Sequence, residues 1–370
     1  MKIPPVMMKP EEMKQKAKCD IKSLDAPETE DWVESLGMER YRGRQIREWI
    51  FKKLAADFDS IHTISRAARR ILDESAFLTN LKLRSMLTSE DTTRKYLFEL
   101  NDGQTIETVV IPERDHLTLC ISSQVGCAMG CKFCMTGSQG LVRNLRPAEI
   151  IDQVIEVRRT LDDPSRLTNI VFMGMGEPLA NYEAMARAVK NIISADGLNF
   201  SHRRVTLSTC GLVPGIIRLG RELTINLAVS LNAADDETRS LLMPVNKTYP
   251  LDELLAACRS FPLPNRRMIT FEYILINGVN DRDRDALRLC KILSGIRAKI
   301  NLIALNAHPA SPMGPPPADR IFSFQQMLVD HNYTAVIRKS KGRDILAACG
   351  QLRSAFEKNQ AAGDPHNSNS

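Results

Sequence analysis

Short apolar segments alternate with helical patterns through the last two thirds of the 370-residue chain, and this order allows few folds. Helical patterns such as PAEIIDQVIEVRRTL, with Pro147 in the first turn, separate the segments. Strand–helix repeats predict a parallel sheet covered by helices, and six or so units predict an α/β fold with a full or partial (β/α) barrel over residues 116–354. Barrels carry their functional groups at the carboxyl ends of the strands. The predicted strands are 117–122, 168–174, 203–209, 224–231, 268–275, 299–305 and 334–338.

The chain outside the barrel is predicted to comprise a helical domain, a β extension and two flexible termini. Residues 26–80 are predicted to form a small helical accessory domain, because Ile46, Trp49 and Ile50 recur at helical spacing. Residues 81–115 are predicted to form a β-hairpin extension, in which KYLFEL and QTIETVVIPE flank the turn sequence NDG. The polar termini, 1–25 and 355–370, are expected to be flexible.

The composition of the chain restricts the cellular compartment and the classes of partner that can be expected. No apolar run approaches the ~20 residues of a membrane span, and the N-terminus lacks the apolar core of a secretory signal, so a cytoplasmic protein without a membrane partner is expected. Nine irregularly spaced cysteines then favour metal or catalytic thiols over a disulfide framework. A formal net charge of +6 mildly favours a polyanionic partner.

Three of these cysteines lie in GCAMGCKFCMTG, directly after the first predicted barrel strand. Cys127, Cys131 and Cys134 form the pattern C-x3-C-x2-C. A structural zinc site needs four ligands, whereas a four-iron cluster held by three thiolates leaves one iron open to a substrate. The alternative is a zinc knuckle that a remote Cys or His completes.

Five motifs together resemble the RlmN/Cfr family of radical S-adenosylmethionine (SAM) adenine methyltransferases. They are CISSQVGCAMGCKFCMTGSQGLVRNL, MGMGEPLANY, RRVTLSTCG, MPVNKTYP and DILAACGQL. The resemblance spans about residues 28–354. It implies a partial radical SAM barrel that binds one 4Fe-4S cluster through the three cysteines and uses two SAM molecules per turnover.

The resemblance also implies the chemistry. Carbon C2 of adenine is electron-poor and cannot attack a sulfonium methyl, so the carbon must arrive as a radical. Family members first transfer a methyl group to a cysteine, here Cys349, and the methylene radical formed from it adds to the adenine. Cys120 then releases the product by forming a disulfide with Cys349. Glu107 matches the family's acceptor of the ring proton, and Cys120 is the alternative base.

Further residues match the SAM site of the family. Gly176 and Glu177 are expected at the SAM amino group. The rest of the pocket is expected to comprise Ser208, Ser230, Leu231, Asn232 and Asn306. Two positions depart from the common pattern, since Asn232 replaces a frequent His and Cys210 replaces a frequent Ser without becoming a ligand. Cys19, Cys258 and Cys290 are expected to have no catalytic role.

The implied activity is methylation of C2 of adenine 2503 in 23S ribosomal RNA and of adenine 37 in tRNAs. Three alternatives stay open: a C8-methylating Cfr-type enzyme, a radical SAM enzyme with a non-RNA substrate, and a zinc- or cluster-binding RNA scaffold. An electron donor such as flavodoxin or ferredoxin and a monomeric state are expected. The helical domain is expected to help hold the RNA, and the candidate phosphate contacts are Arg40–Arg47, Arg66–Arg70, Arg203–Arg204 and Lys339–Arg343.

Overall fold

The computed structural model of the protein describes residues 18–306 and 313–352. Within these ranges the strands are β1 (Cys19–Asp20), β2 (Ala76–Phe77), β3 (Lys82–Thr88), β4 (Arg94–Glu99), β5 (Thr105–Pro112), β6 (Leu117–Cys120), β7 (Gln124–Cys127), β8 (Gly140–Asn144), β9 (Leu167–Phe172), β10 (Val205–Thr209), β11 (Asn226–Ser230), β12 (Ile269–Leu275), β13 (Ala298–Ala304) and β14 (Thr334–Arg338). The α-helices are α1 (Ala26–Ser35), α2 (Tyr41–Phe51), α3 (Arg66–Ser75), α4 (Met135–Ser138), α5 (Pro147–Thr160), α6 (Tyr182–Ile193), α7 (Val213–Glu222), α8 (Asp236–Leu242), α9 (Leu251–Ser260), α10 (Asp283–Ile292) and α11 (Ala318–Asp330). No helix in the described ranges is long and apolar enough to cross a membrane.

A ten-stranded sheet with the order β14-β13-β12-β11-β10-β9-β6-β5-β4-β3 forms the centre of the fold. The seven strands from β14 to β6 in this order are mutually parallel, and helices connect most of them. These seven strands overlap the seven predicted segments, so the predicted alternation is confirmed. Buried and half-buried residues alternate along strands such as β10 and β12, because one face packs against the outer helices and the other lines the interior.

The parallel strands curve around a common interior. One cavity of about 460 Å³ is lined by residues from all seven, which a flat sheet could not provide. The sheet is open, with β14 at one edge and β3 at the other, so the predicted partial barrel in an α/β fold is confirmed. Representative lining residues, from β6 to β14, are Cys120, Val171, Thr206, Ala228, Glu272, Asn301 and Arg338.

The β extension has three strands where the sequence predicts two. The predicted pair corresponds to β4 and β5, and β3 adds an antiparallel edge strand to β4. Every residue of β3 is exposed. An edge strand with neither face buried lacks the apolar alternation by which strands are recognised, so its sequence, KLRSMLT, was missed. Because β5 pairs with β6, the extension continues the barrel sheet.

The chain is tied to the barrel earlier than residue 26, the predicted start of the helical domain. Of the two termini predicted to be flexible, residues 1–17 and 355–370 lie outside the described residues, whereas residues 18–25 are described. Residues 19–20 pair with β2, and Lys22 forms a fully buried ion pair with Asp152 of α5. The Asp152 carboxylate also accepts the Leu81 amide at 2.6 Å. This segment therefore joins the helical part of the chain to the first barrel helix.

The Lys22–Asp152 pair gives a stability prediction. Lys22→Met should lower the free energy of unfolding by about 3–5 kcal/mol, because Asp152 would remain buried without its cation. Burial already raises the pKa of Asp152, so proton uptake would limit the loss in the variant. Urea denaturation measures the change. Lys190→Met, at an exposed position of α6, is the matched control, and equal stability of the two variants would contradict a structural role for the pair.

Candidate active site

The three clustered cysteines lie on a loop that a small hairpin presents at the carboxyl ends of the barrel strands. Cys127 ends β7, and Cys134 immediately precedes α4. The β7–β8 hairpin depends on Gly126, whose φ is +74° and whose added Cβ would lie 2.0 Å from the Gly140 carbonyl oxygen. This loop brings all three thiols to one cavity of about 150 Å³.

The three thiols fit an iron–sulfur cluster better than a single ion. Within the described part of the chain, no three His, Cys, Asp or Glu side chains converge closely enough to hold one metal ion. A cubane binds each thiolate through a different iron, so its ligands can share a cavity without converging on one point. Burial raises the pKa of Cys127 to about 12 and that of Cys131 above its ordinary value, which favours the protonated thiols as long as no cation is bound. A bound cation would reverse this preference and stabilise the thiolates.

Gly176 and Glu177 line the same cavity as the cysteines. Gly176 has φ +99°, and an added Cβ would lie 2.5 Å from Cβ of Gln124, so only glycine fits. The buried Glu177 carboxylate accepts the backbone N–H groups of Leu179 at 3.0 Å and Cys210 at 2.8 Å. Burial raises the pKa of Glu177. A desolvated carboxylate at a cavity wall is well suited to an ammonium group.

The other residues expected at the SAM pocket separate into two groups. Ser208 and Ser230 line the cavity from β10 and β11, whereas Leu231 and Asn232 are not among its lining residues. Asn232 is fully buried with φ +59°, and its amide oxygen accepts the Ile274 amide at 2.8 Å. Its side chain thus secures the end of β11 against β12. Asn232, which stands where the family often has His, therefore makes a structural hydrogen bond to β12.

Asn306 follows β13 and contacts the backbone of Cys349, the candidate methyl carrier. Its amide nitrogen donates to the Cys349 carbonyl at 3.2 Å. Its amide oxygen is buried without a hydrogen-bond partner among the described residues. Buried acceptors are rarely left unpaired, so this oxygen fits a hydroxyl or amine of a bound cofactor.

Cys349 lies where two cavities meet. It lines the cysteine cavity and also the 460 Å³ barrel interior, which Cys120 lines as well. The Cys349 side chain is solvent-accessible, but the space it faces is the interior of the protein, and desolvation raises its pKa to about 11. Burial first and the neighbouring Cys349 second raise the pKa of Cys120. The structure thus brings together the two thiols that the sequence assigns to one reaction.

Hydrogen bonds hold the Cys349 segment against the cluster loop. The Met135 amide donates to the Gly350 carbonyl at 2.8 Å, and the Thr136 hydroxyl donates to the Leu352 carbonyl at 2.6 Å. Both donors lie in α4, directly after Cys134. The chain segment that carries Cys349 is therefore positioned by the same loop that carries the three thiols.

Glu107 lies on β5 and is not among the lining residues of either cavity. Its carboxylate is buried and lies 2.9 Å from Nζ of Lys95. The same ammonium donates to the Leu346 carbonyl, three residues before Cys349, at 3.3 Å. Glu107 is thus linked to the Cys349 segment through Lys95, and its assignment as the proton acceptor stays a prediction.

Two residues that line the cavities were not assigned to the site from the sequence. Cys210 lines the cysteine cavity, and its carbonyl accepts the buried Arg239 guanidinium at 2.7 Å. Glu272 of β12 lines both cavities. A charged residue in the middle of an otherwise apolar parallel strand was the available signal for Glu272, because such strands are buried on both faces.

The basic clusters have different environments. Arg40 and Arg44 pair with acids of α1, and the buried Arg47 donates to Asn191 of α6 at 2.8 Å, so the cluster at 40–47 mainly docks α2. Arg203 and Arg204 precede β10, at the end of the barrel opposite the cysteines. In the remaining two clusters Arg66, Arg70, Lys339 and Arg343 are exposed, and Lys339 and Lys341 line the barrel interior.

Comparison with known proteins identifies the relatives of the chain. Residues 121–290 match the radical SAM superfamily, and residues 19–78 match the ribosomal RNA large subunit methyltransferase N-terminal domain. The dual-specificity RNA methyltransferase RlmN of Desulfosudis oleivorans is 53% identical over 92% of this chain and 92% of its own length. The RlmN protein of Geobacter sulfurreducens is 51% identical over 93% and 94%. The crystal structure of a radical SAM methyltransferase from Sphaerobacter thermophilus matches with a TM-score of 0.87 at 46% identity, over 91% of this chain and all of that one.

Proposed function

The chain belongs to the RlmN family of radical SAM methyltransferases, and from this premise we propose that it methylates adenine in both ribosomal RNA and tRNA. The relatives at about half identity over nearly full length carry the name dual-specificity RNA methyltransferase. The observation that supports the proposal most is the shared cavity of Cys349 and the three loop cysteines. A carrier thiol next to a cluster site is what this chemistry requires.

Four residues account for cofactor binding. Cys127, Cys131 and Cys134 would hold the 4Fe-4S cluster, and the Glu177 carboxylate would bind the ammonium group of SAM. When bound there, the cluster would supply one-electron reduction of SAM, the chemistry that allows a hydrogen to be removed from an otherwise inert methyl group.

Cys349 and Cys120 account for the covalent steps. The Cys349 thiolate accepts a methyl group by displacement, and after loss of one hydrogen this carbon bonds to the adenine ring. The product is then a thioether to Cys349. Attack by the Cys120 thiolate on the Cys349 sulfur forms the S–S bond and breaks the S–C bond, and the freed carbon takes up one proton to become the methyl group of the released base. Their common position in the barrel interior supports this division of roles.

We assign C2 rather than C8 as the methylated carbon, with adenine 2503 of 23S RNA and adenine 37 of tRNA as the targets. The names of the relatives support this choice over a C8-methylating enzyme. Mass spectrometry of nuclease-digested RNA separates the two products. An RNA scaffold without activity, another of the alternatives, would purify without colour and with stoichiometric zinc.

A labelling experiment tests the carrier route. With SAM that carries a fully deuterated methyl group, the methyl group in the RNA should contain two deuterium atoms and one hydrogen that was not in the SAM methyl group. One deuterium is lost when the carbon on Cys349 is activated. The measurement is the mass of the methyladenosine released from purified ribosomal RNA.

A different number of transferred deuterium atoms would contradict this prediction. Transfer of all three deuterium atoms would contradict the route through Cys349 and indicate direct displacement from SAM. Unlabelled SAM under the same conditions is the control, and it sets the mass from which the shift is counted.

The partners and compartment follow from this activity. Ribosomal RNA and tRNA are the substrates, and an electron donor such as flavodoxin or ferredoxin would reduce the cluster. The exposed Arg66 and Arg70 of α3 and the lysines after β14 are the candidate phosphate contacts, and the helical part at residues 26–80 is the proposed RNA-holding domain. We further propose a monomeric enzyme in the cytoplasm, where both RNAs are processed.

A further inference from the structure

Glu272 lies at the junction of the two cavities, next to the carrier thiol. The residues that line both cavities are Met173, Glu272, Ile303 and Cys349. Of these, Met173 and Ile303 have no group that can accept a proton at ordinary pH. The negative charge of Glu272 also acts directly on Cys349 and is, after burial, the next largest cause of its raised pKa.

The surroundings of Glu272 hold its carboxylate in place without neutralising it by direct contact. Asn301 of β13, its neighbour in the strand register, donates to Oε1 of Glu272 at 2.9 Å. Lys299 of β13 and Arg338 of β14 act on it electrostatically and lower its pKa, while burial, which is the larger effect, raises it. On the other side its partner in the register is Ser230, an uncharged residue. A partly buried carboxylate of raised basicity is the kind of group that enzymes use as a general base.

We propose that Glu272 is the general base that removes the thiol proton of Cys349 before the methyl group is transferred. This inference rests on the proposed function, in which Cys349 carries the methyl group. It assigns a catalytic role to a residue outside the family motifs from which the site was read. The other two carboxylates near the site are weaker candidates for this base. Glu107 is paired with Lys95, and Glu177 accepts hydrogen bonds from two backbone amides.

The step is balanced in atoms and charge. The S–H bond of Cys349 breaks, its proton moves to a carboxylate oxygen of Glu272, and the electron pair stays on sulfur. The thiolate attacks the sulfonium methyl, so a new S–C bond forms while the old one breaks towards the sulfonium sulfur. The products are S-methylcysteine, neutral S-adenosylhomocysteine and a protonated Glu272. The barrel interior reaches exposed Arg338 and Lys339, which gives the proton a path to solvent.

Glu272→Gln tests the proposal, because it removes the base and retains an acceptor for Asn301. The enzyme is reconstituted anaerobically with iron and sulfide, and two rates are followed on the peptide that contains Cys349. One is methylation by deuterated SAM without reductant or RNA, and the other is alkylation by iodoacetamide. Glu113→Gln is the matched control, since Glu113 lines the same cavity and lies 4.0 Å from the same Arg338.

The two rates should move in opposite directions in Glu272→Gln. Methylation should fall by roughly 10²-fold, the usual effect of losing a general base. Alkylation should become faster, because the anion that disfavours the thiolate is gone. Glu113→Gln should change neither rate. Iron content and circular dichroism are compared among all three proteins.

Three results would overturn the proposal, and they are distinguishable. Unchanged methylation in Glu272→Gln would show that another group takes the proton. A parallel fall of both rates would show that Glu272 only positions the segment around Cys349. Absence of deuterated methyl on Cys349 in the unaltered enzyme would instead remove the carrier role, and with it the proposed function.

Discussion

Cys349→Ala should abolish RNA methylation, with a fall in turnover of roughly 10⁴-fold or more, as expected when a covalent nucleophile is removed. Alanine cannot accept the methyl group, and Cys210, which also lines the cysteine cavity, does not line the barrel interior and has its pKa raised well above the ordinary value by burial. Cys120 lines only the barrel interior, and the loop cysteines are committed to the cluster. Incorporation of labelled methyl into ribosomal RNA measures the effect.

The loss in Cys349→Ala must be separated from damage to the cluster site. The segment around Cys349 contacts α4 through backbone and hydroxyl groups that the substitution leaves intact, so iron and sulfide contents should be unchanged. Cys290→Ala, in helix α10 and distant from both cavities, is the matched control and should retain full turnover. Retention of activity in Cys349→Ala would favour a radical SAM enzyme that does not use a carrier cysteine.

Cys120→Ala should stop the reaction one step later and leave RNA covalently attached to the protein. The methyl carbon can still reach Cys349 and bond to adenine, but the thioether cannot be resolved without the second thiol. Multiple turnover should fall below detection, while up to one equivalent of adduct per enzyme accumulates. A denaturing gel, followed by mass spectrometry of the Cys349 peptide, detects the adduct.

A double variant provides the control for this trap. Cys120→Ala combined with Cys349→Ala should form no adduct, because the attachment point is missing. Cys258→Ala, a buried cysteine of α9, should neither trap RNA nor reduce turnover strongly. If Cys120→Ala released free methylated RNA at the normal rate, Cys120 would not be the resolving thiol.

Much of the framework was predictable because it depends on local pattern. Each parallel strand is a short segment between helical or irregular stretches, and the strands overlap the predicted segments from 117–122 to 334–338. The thiol spacing at Cys127, Cys131 and Cys134 is likewise a local property, since one loop presents all three side chains.

Other features depend on contacts between distant parts of the chain. A fully buried Lys22 cannot be recognised in a polar N-terminal sequence, because its partner is 130 residues away. Arg47 belongs to an apparently exposed basic run, yet packing of α2 against α6 buries it. Asn232 follows a strand in the position expected of a ligand-binding residue, but a left-handed backbone turns its amide towards Ile274.

Linear order was therefore enough to predict the barrel and the cluster loop, because periodicity and short spacing act within one element or one turn. The roles of Cys120 and Cys349 were predicted from the family resemblance alone. Folding in three dimensions settled which groups share a space. Curvature of the sheet brings Cys120, Glu272 and Cys349 from three separate regions to one interior, and burial there changes the basicity of each. Desolvation and charge depend on every neighbour at once, so residue order does not encode them in any single stretch.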